Sequence, residues 1–341
     1  MRIPLYRQVL YATILTLTGF GLLEGVARLV APAPENARYS TAARLDASLG
    51  FEQLNQTLVP DQRLFWRLRP SMPPTVIEGS IGPVDKLHFT VSTTASGWRT
   101  MPPVSDARRT VVAIGDSCTF GIGVGDAEAF PAVLQTLLPD TRCINAGVPG
   151  YTAFQGRRVL EANLAAWHPA AVTITFGFND SADWDERSDL AHAESTPVTL
   201  GPLERSRLVQ LGRHAVATAK AARKPPADSS TRRPRLDTTE FADELRAIIR
   251  LCRDANAVPV LIVWPARYEV EGRKTIPHHE IVRAVAASEG VALVDPLPVF
   301  RARGASTLYA DVIHANAAGN RLVAEMVAQI LGNLAATGRG P

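Results

Sequence analysis

From Arg109 onward, five short apolar runs alternate with longer amphipathic segments, and few folds accept that rhythm. The runs are Thr110 to Ile114, Cys143 to Ala146, Ala171 to Phe176, Pro259 to Trp264 and Val291 to Val294. Each is too short for a helix and lacks the polar alternation of a strand with one wet face, so each reads as a strand covered on both sides. Between and after them, Phe130 to Leu138, Phe154 to Trp167, Thr239 to Asn256, Pro277 to Glu289 and Asn316 to Leu331 carry helical periodicity. Strand followed by helix, five times over, predicts a doubly wound, five-stranded parallel sheet covered by helices.

In such a sheet the loops at the carboxyl ends of the strands gather ligands. Three of those loops are polar. Ser117 follows the first strand within Gly115-Asp116-Ser117-Cys118, Asn145-Ala146-Gly147 closes the second, and Gly177-Phe178-Asn179-Asp180 follows the third. Much later, Asp311-Val312-Ile313-His314 precedes the last helix. A serine hydroxyl is a weak nucleophile until a base takes its proton, and an imidazole base needs a partner that fixes its tautomer. His314 and Asp311 fit those roles towards Ser117. The oxyanion formed on a carbonyl needs preorganised donors, for which the N–H groups of Ser117 and Gly147 and the Asn179 side chain are the candidates. Tyr151 and Gln155, just beyond the glycine block, are candidates for the substrate pocket wall. Each motif alone has a plainer reading as a turn or helix cap; their joint order at strand ends points to acyl transfer. His278 and His279 are neighbours on a helix that turns them in different directions, and surface placement is expected for both.

These four blocks resemble those of the GDSL/SGNH hydrolases, whose members supply Ser, Gly, Asn and His from Gly115-Asp116-Ser117-Cys118, Asn145-Ala146-Gly147 with Val148-Pro149-Gly150-Tyr151, Gly177-Phe178-Asn179-Asp180, and Asp311-Val312-Ile313-His314. The resemblance covers about Arg109 to Leu331. It implies a three-layer, flavodoxin-like α/β/α fold and hydrolysis of esters, sometimes thioesters or amides, with no metal and no cofactor. It is similar in particular to membrane-anchored bacterial members. Cys118 stands where the family name expects leucine, which raises the question of which atom attacks; the turn position favours Ser117, with Cys118 facing the core.

The rest of the 341-residue chain is organised around this domain. Val9 to Leu23 carries no charge and the apolar character continues to Val30, approaching the roughly 20 residues of a spanning helix. Arg2 and Arg7 lead it, which favours an inside N-terminus and a catalytic domain in the periplasm or outside the cell. Glu24 and Arg28 are spaced to pair near the outer interface. Ala31-Pro32-Ala33 has the form of a cleavage site, but Pro34 is a poor context for it, so an uncleaved anchor is expected. The expected layout is an anchor over 1–30, a stalk and small β appendage over 31–108 with a strand over Leu87 to Thr93, and the hydrolase domain over 109–335. That domain is interrupted by an insertion at about 181–236. Within it, Leu203 to Ala222 has helical character, and Lys220, Arg223, Lys224, Arg232, Arg233 and Arg235 make its end basic.

A hydrophobic share of 46% and a net charge of +3 suit a globular enzyme and give no reason to expect nucleic acid. Cys118, Cys143 and Cys252 show no metal spacing; a bridge between Cys118 and Cys143 stays open. The expected partners are an ester substrate, either an acylated glycan or a lipid, and the membrane. The expected activity is ester hydrolysis through an acyl-enzyme. An O-acyltransferase using the same residues and a non-catalytic glycan-binding assembly protein are the alternatives.

Overall fold

A computed structural model describes residues 4–30, 52–61, 63–79, 87–185, 187–194, 206–209, 211, 212, 215, 216 and 232–336. Helix α1 (Leu5–Val30) is long and apolar enough to cross a membrane. Near its end the guanidinium of Arg28 donates to Glu24 at 2.7 Å. The same carboxylate accepts the hydroxyl of Ser206 and the N–H groups of Arg207 and Leu208 at 2.8–3.1 Å, tying the insertion to the helix. Residues 31–51, where the expected stalk begins, and Lys220, Arg223 and Lys224 lie outside the described residues.

Two antiparallel pairs follow, β1 (Leu58–Asp61) with β2 (Phe65–Leu68) and β3 (Thr75–Gly79) with β4 (Leu87–Val91). In β4, Leu87, Phe89 and Val91 are buried and His88 and Thr90 are exposed, the alternation of a strand with one wet face.

The main sheet contains β5 (Arg109–Gly115), β6 (Thr141–Gly147), β7 (Ala171–Thr175), β10 (Val258–Ile262) and β11 (Ala292–Val294), with β8 (Asp183–Asp185) and β9 (Arg233–Pro234) pairing separately in the insertion. Its spatial order is β11-β10-β7-β5-β6, and every neighbour is parallel. The first strand therefore lies inside the sheet, and the chain changes direction between β5 and β7, opening the crevice where ligands bind. The helices are α2 (Ser117–Phe120), α3 (Phe130–Leu137), α4 (Ala153–Trp167), α5 (Asp189–Glu194), α6 (Thr238–Asp254), α7 (Arg267–Val270), α8 (Pro277–Glu289), α9 (Leu297–Arg303) and α10 (Ala317–Ala336). Successive strand residues feed opposite cores: Val112 and Ile114 pack with α4, α6 and α8, while Val111 and Ala113 pack with α3 and α10. That is why these strands read as largely apolar runs with no polar alternation. In the insertion's 203–222 stretch, residues 207–209, 211, 212, 215 and 216 are helical.

Trp66, Leu68, Ile77 and Phe89 join the first of those cores, so the small sheets are packed onto the domain. The Trp66 indole N–H donates to the Pro149 carbonyl at 2.9 Å, and the Tyr151 hydroxyl donates to the Trp66 carbonyl at 2.7 Å. From the insertion, Arg235 reaches the same place and is buried. Its guanidinium donates to Asp189 at 2.8 Å, to Gln155 Oε1 at 3.0 Å and to the Gly150 carbonyl, and lies 5.5 Å from the Trp66 ring. Three distant segments thus converge on the turn after β6. Removing the cation leaves Asp189 charged, buried and short of its partner, so Arg235→Ala is expected to cost about 3–5 kcal/mol in urea unfolding. A loss below about 1 kcal/mol would mean that water compensates the carboxylate.

Candidate active site

Gly115 ends β5 because a side chain there does not fit: a Cβ would sit 2.1 Å from Thr119 Oγ1 and 2.7 Å from the Thr175 carbonyl. The chain turns at once into α2, capped by Asp116, which accepts the Cys118 N–H at 2.8 Å. This turn lifts Ser117 above the carboxyl end of the sheet. Arg99, buried and unforeseen in the sequence, donates to the carbonyls of Phe120, Gly121 (2.7 Å) and Val124 (2.6 Å) and fixes the far end of the turn.

Asp311 and His314 arrive from the loop before α10. One carboxylate oxygen of Asp311 accepts the N–H groups of Ile313 and His314 at 2.8 and 2.7 Å, folding the loop back on itself. The other lies 2.6 Å from His314 Nδ1. The loop is pinned from outside by the Trp264 indole, which donates to the Ile313 carbonyl at 3.1 Å. On the opposite side of the ring, His314 Nε2 is 2.8 Å from Ser117 Oγ. Burial raises the Asp311 carboxyl, but the imidazole and the two N–H donors outweigh it and hold the group below its ordinary range. An ionised carboxylate accepts only, so Nδ1 carries the hydrogen and Nε2 offers its lone pair to the serine. Such an arrangement can pass a proton from hydroxyl to imidazole, with a carboxylate behind the ring.

Asn179 enters from the turn after β7. Its amide nitrogen donates to Asp116 Oδ2 and to the Tyr151 carbonyl, both at 3.1 Å, linking the three strand-end loops. Burial pushes the Asp116 carboxyl up to about 6, with the Cys118 N–H and the nearby imidazoles of His314 and His279 opposing it.

Residues 113–322, more than half of the chain, match the GDSL-like lipase/acylhydrolase family. The chain belongs to this family. Esterase TesA of Pseudomonas aeruginosa is 36% identical over 78 residues, 22% of this chain and 39% of that esterase, so the chain spans about two fifths of that relative. Among solved structures, a lipase/acylhydrolase from Enterococcus faecalis is 17% identical, covers 66% of this chain and 96% of its own, and has a TM-score of 0.44. The TesA crystal structure is 22% identical over 66% of this chain and 99% of its own, with a TM-score of 0.44.

Not every expected site residue of this GDSL-like hydrolase faces the reacting groups. The Gly147 N–H donates to Asn145 Oδ1 at 3.1 Å, and a Cβ at 147 would lie 2.3 Å from the Phe120 nitrogen. Gly147 therefore faces the underside of α2 and lets it pack against β6, which corrects its expected place among the oxyanion donors. Gly150, three residues on, has an N–H without a partner among the described residues and a φ of +78°, which only glycine adopts without strain. Its sequence signal is the Pro149-Gly150 turn dipeptide. Tyr151 and Gln155 are likewise corrected: both are fully buried, their polar ends engaged by Trp66, Thr152, Leu64 and Arg235, and they hold the appendage rather than line a pocket.

Cys118, Cys143 and Cys252 are free thiols. Burial pushes the Cys118 thiol far up, with the Asp116 and Asp311 charges adding to it, so a thiolate beside Ser117 is disfavoured. Asp180 is a cap: its two oxygens accept the N–H groups of Ala153 and Gly177 at 2.8 and 2.9 Å. His278 and His279 are buried, contrary to their expected surface placement. Among the described residues no three His, Cys, Asp or Glu side chains converge as a metal site requires.

Proposed function

We propose that this chain is a membrane-anchored serine esterase whose catalytic domain lies outside the cytoplasm and whose substrate is an envelope glycan carrying a short acyl group such as acetate. The observation that carries the chemistry is the 2.8 Å approach of His314 Nε2 to Ser117 Oγ with Asp311 behind the ring. His314 takes the hydroxyl proton while the oxygen of Ser117 attacks the ester carbonyl. The resulting oxyanion is held by the N–H groups of Ser117 and Gly150 and by the Asn179 amide, which gives up part of its hold on the Tyr151 carbonyl or Asp116 to do so. As the carbon–oxygen bond to the alcohol breaks, His314 returns the proton to that oxygen. Water, deprotonated by the same imidazole, then attacks the acyl-enzyme and releases the carboxylic acid and Ser117.

The outward orientation is supported by Arg2 and Arg7 ahead of the apolar helix. A screen of acetylated glycans, phospholipids and acyl thioesters with wild type and Ser117→Ala tests the reading. Ser117-dependent release of acetate from glycans is expected, while release of fatty acid from phospholipid alone would replace the glycan by a lipid. Acetyl transfer to an acceptor sugar instead of water would make the enzyme a transferase. No Ser117-dependent turnover of any ester by folded protein would overturn the proposal.

A further inference from the structure

Val148 to Tyr151 form a β-turn beside the nucleophile. The Tyr151 N–H donates to the Val148 carbonyl at 3.1 Å, the Pro149 ring restricts φ at the second position, and Gly150 at the third has a φ of +78°. That combination is a type II turn. Both of its ends are tied to the start of the Ser117 turn: the Val148 N–H donates to the Gly115 carbonyl at 3.1 Å, and the Asn179 amide bridges the Tyr151 carbonyl to Asp116. The central peptide of the turn, between Pro149 and Gly150, carries the N–H assigned above to the oxyanion.

Type I and type II turns differ by a flip of that one peptide. Carbonyl and N–H point to opposite sides of a trans peptide, so whatever holds the Pro149 carbonyl also aims the Gly150 N–H. Trp66 holds it. The indole N–H donates to this carbonyl at 2.9 Å in a buried bond, and the ring lies against the glycine, where a Cβ would meet its Cζ2 at 3.1 Å. The indole is itself wedged, with the Tyr151 ring edge-on at 5.9 Å and the Arg235 guanidinium 5.5 Å from its centre. Phe65, just before it, takes a φ of +70°, a left-handed conformation that a bulky residue keeps only when its surroundings impose it, and its ring stacks on Phe154 at 5.6 Å. Both residues belong to the appendage, outside the stretch 113–322 that matches the family.

We infer that Trp66 is a positioning residue for the reaction: its indole N–H locks the Pro149–Gly150 peptide in the orientation that presents the Gly150 N–H to the oxyanion. Glycine accepts either sign of φ, so the turn's own sequence leaves the flip open. A flipped peptide would turn a carbonyl oxygen, in place of a donor, towards the developing negative charge, and stabilisation there depends on donors fixed in advance. The small β appendage thereby becomes part of the catalytic apparatus. The inference rests on the esterase reading above and, within it, on Gly150.

Trp66→Phe keeps an aromatic ring and removes the N–H, whereas Ile77→Val trims a buried side chain of the appendage and leaves the indole alone. Hydrolysis of 4-nitrophenyl acetate by the full-length protein is measured beside inhibition by a trifluoromethyl ketone. Ser117 Oγ adds to the ketone carbon as its proton passes to His314, and the carbonyl oxygen becomes the oxyanion. Trp66→Phe is expected to lower kcat about tenfold, the size of one lost hydrogen bond, and to raise the ketone Ki by a similar factor. KM should hold, because the contact matters only in the transition state. Ile77→Val is expected to lower stability alone. Where Trp66→Phe does not fold, 3-benzothienylalanine at position 66, which keeps the fused rings and puts sulfur in place of the N–H, should give the same loss. An unchanged kcat, a loss confined to KM, a fall in kcat without one in ketone affinity, or an equal fall in Ile77→Val overturns the inference and leaves the esterase standing. Wild type without Ser117-dependent turnover is the separate failure of the esterase itself, and this inference falls with it.

Discussion

Ser117→Ala is expected to lower kcat on an activated aryl ester by about 10⁴–10⁶-fold, leaving a residue of rate enhancement from the oxyanion donors and binding. The size follows from the geometry: His314 Nε2 has one hydroxyl within hydrogen-bond reach, at 2.8 Å, and without it the imidazole has no proton to take. The neighbouring thiol does not substitute, because Cys118 is buried and its ionisation is pushed far up. Labelling by a fluorophosphonate reports on this directly. Label should survive Cys118→Ala and vanish in Ser117→Ala; the reverse pattern would move the nucleophile to sulfur.

Asp311→Asn is expected to lower kcat by about 10⁴-fold near neutral pH, the scale seen when a relay carboxylate is replaced by its amide. Asp311 accepts three hydrogens, the N–H groups of Ile313 and His314 and the Nδ1 hydrogen of the ring. An amide has one acceptor oxygen. If that oxygen keeps the backbone, its NH₂ group faces Nδ1, the ring takes the other tautomer, and Nε2 presents a hydrogen to Ser117 where a lone pair is needed. If it faces the ring, two backbone donors oppose an NH₂ group, and stability falls by about 1–3 kcal/mol. Steady-state kinetics beside urea unfolding separate the two outcomes. Activity within tenfold of wild type would remove Asp311 from the relay.

The sheet was legible because its strands are covered on both faces. Val111 to Ile114 is apolar at every position and Ala171 to Ile174 at every position but Thr173, and that continuity marks strand and parallel sheet together. Helix ends were legible where a local group sets them, as with Asp237 capping α6 and Gly290 ending α8 at a φ of +63°. The 181–236 stretch was not, because β8 and β9 are short and gain their order from Arg235 and Asp189, which meet only in the folded protein.

Within the site, Ser117, Asp311 and His314 could be read in advance, since each chemical role admits few residue types and the spacing of Asp311 and His314 lets one loop hold both. The glycines could not be told apart by type. Gly147 and Gly150 both follow β6, and which N–H is free depends on Asn145 reaching back to Gly147 and on Trp66 and Arg235 gripping the turn beyond it. Helical spacing alone suggested solvent for His279, whereas a buried carboxylate ten residues away turns it inward.

The sequence by itself determined the alternation of strands and helices and the identities of the hydroxyl, imidazole and carboxylate, because burial on both faces and proton transfer each demand particular side chains. Only the tertiary structure decided which N–H groups stay free, which carboxylate turns His279 inward and which arginine closes the turn after β6. Those outcomes depend on contacts between segments far apart in the chain, and a hydrogen bond made by one such group withdraws it from the substrate.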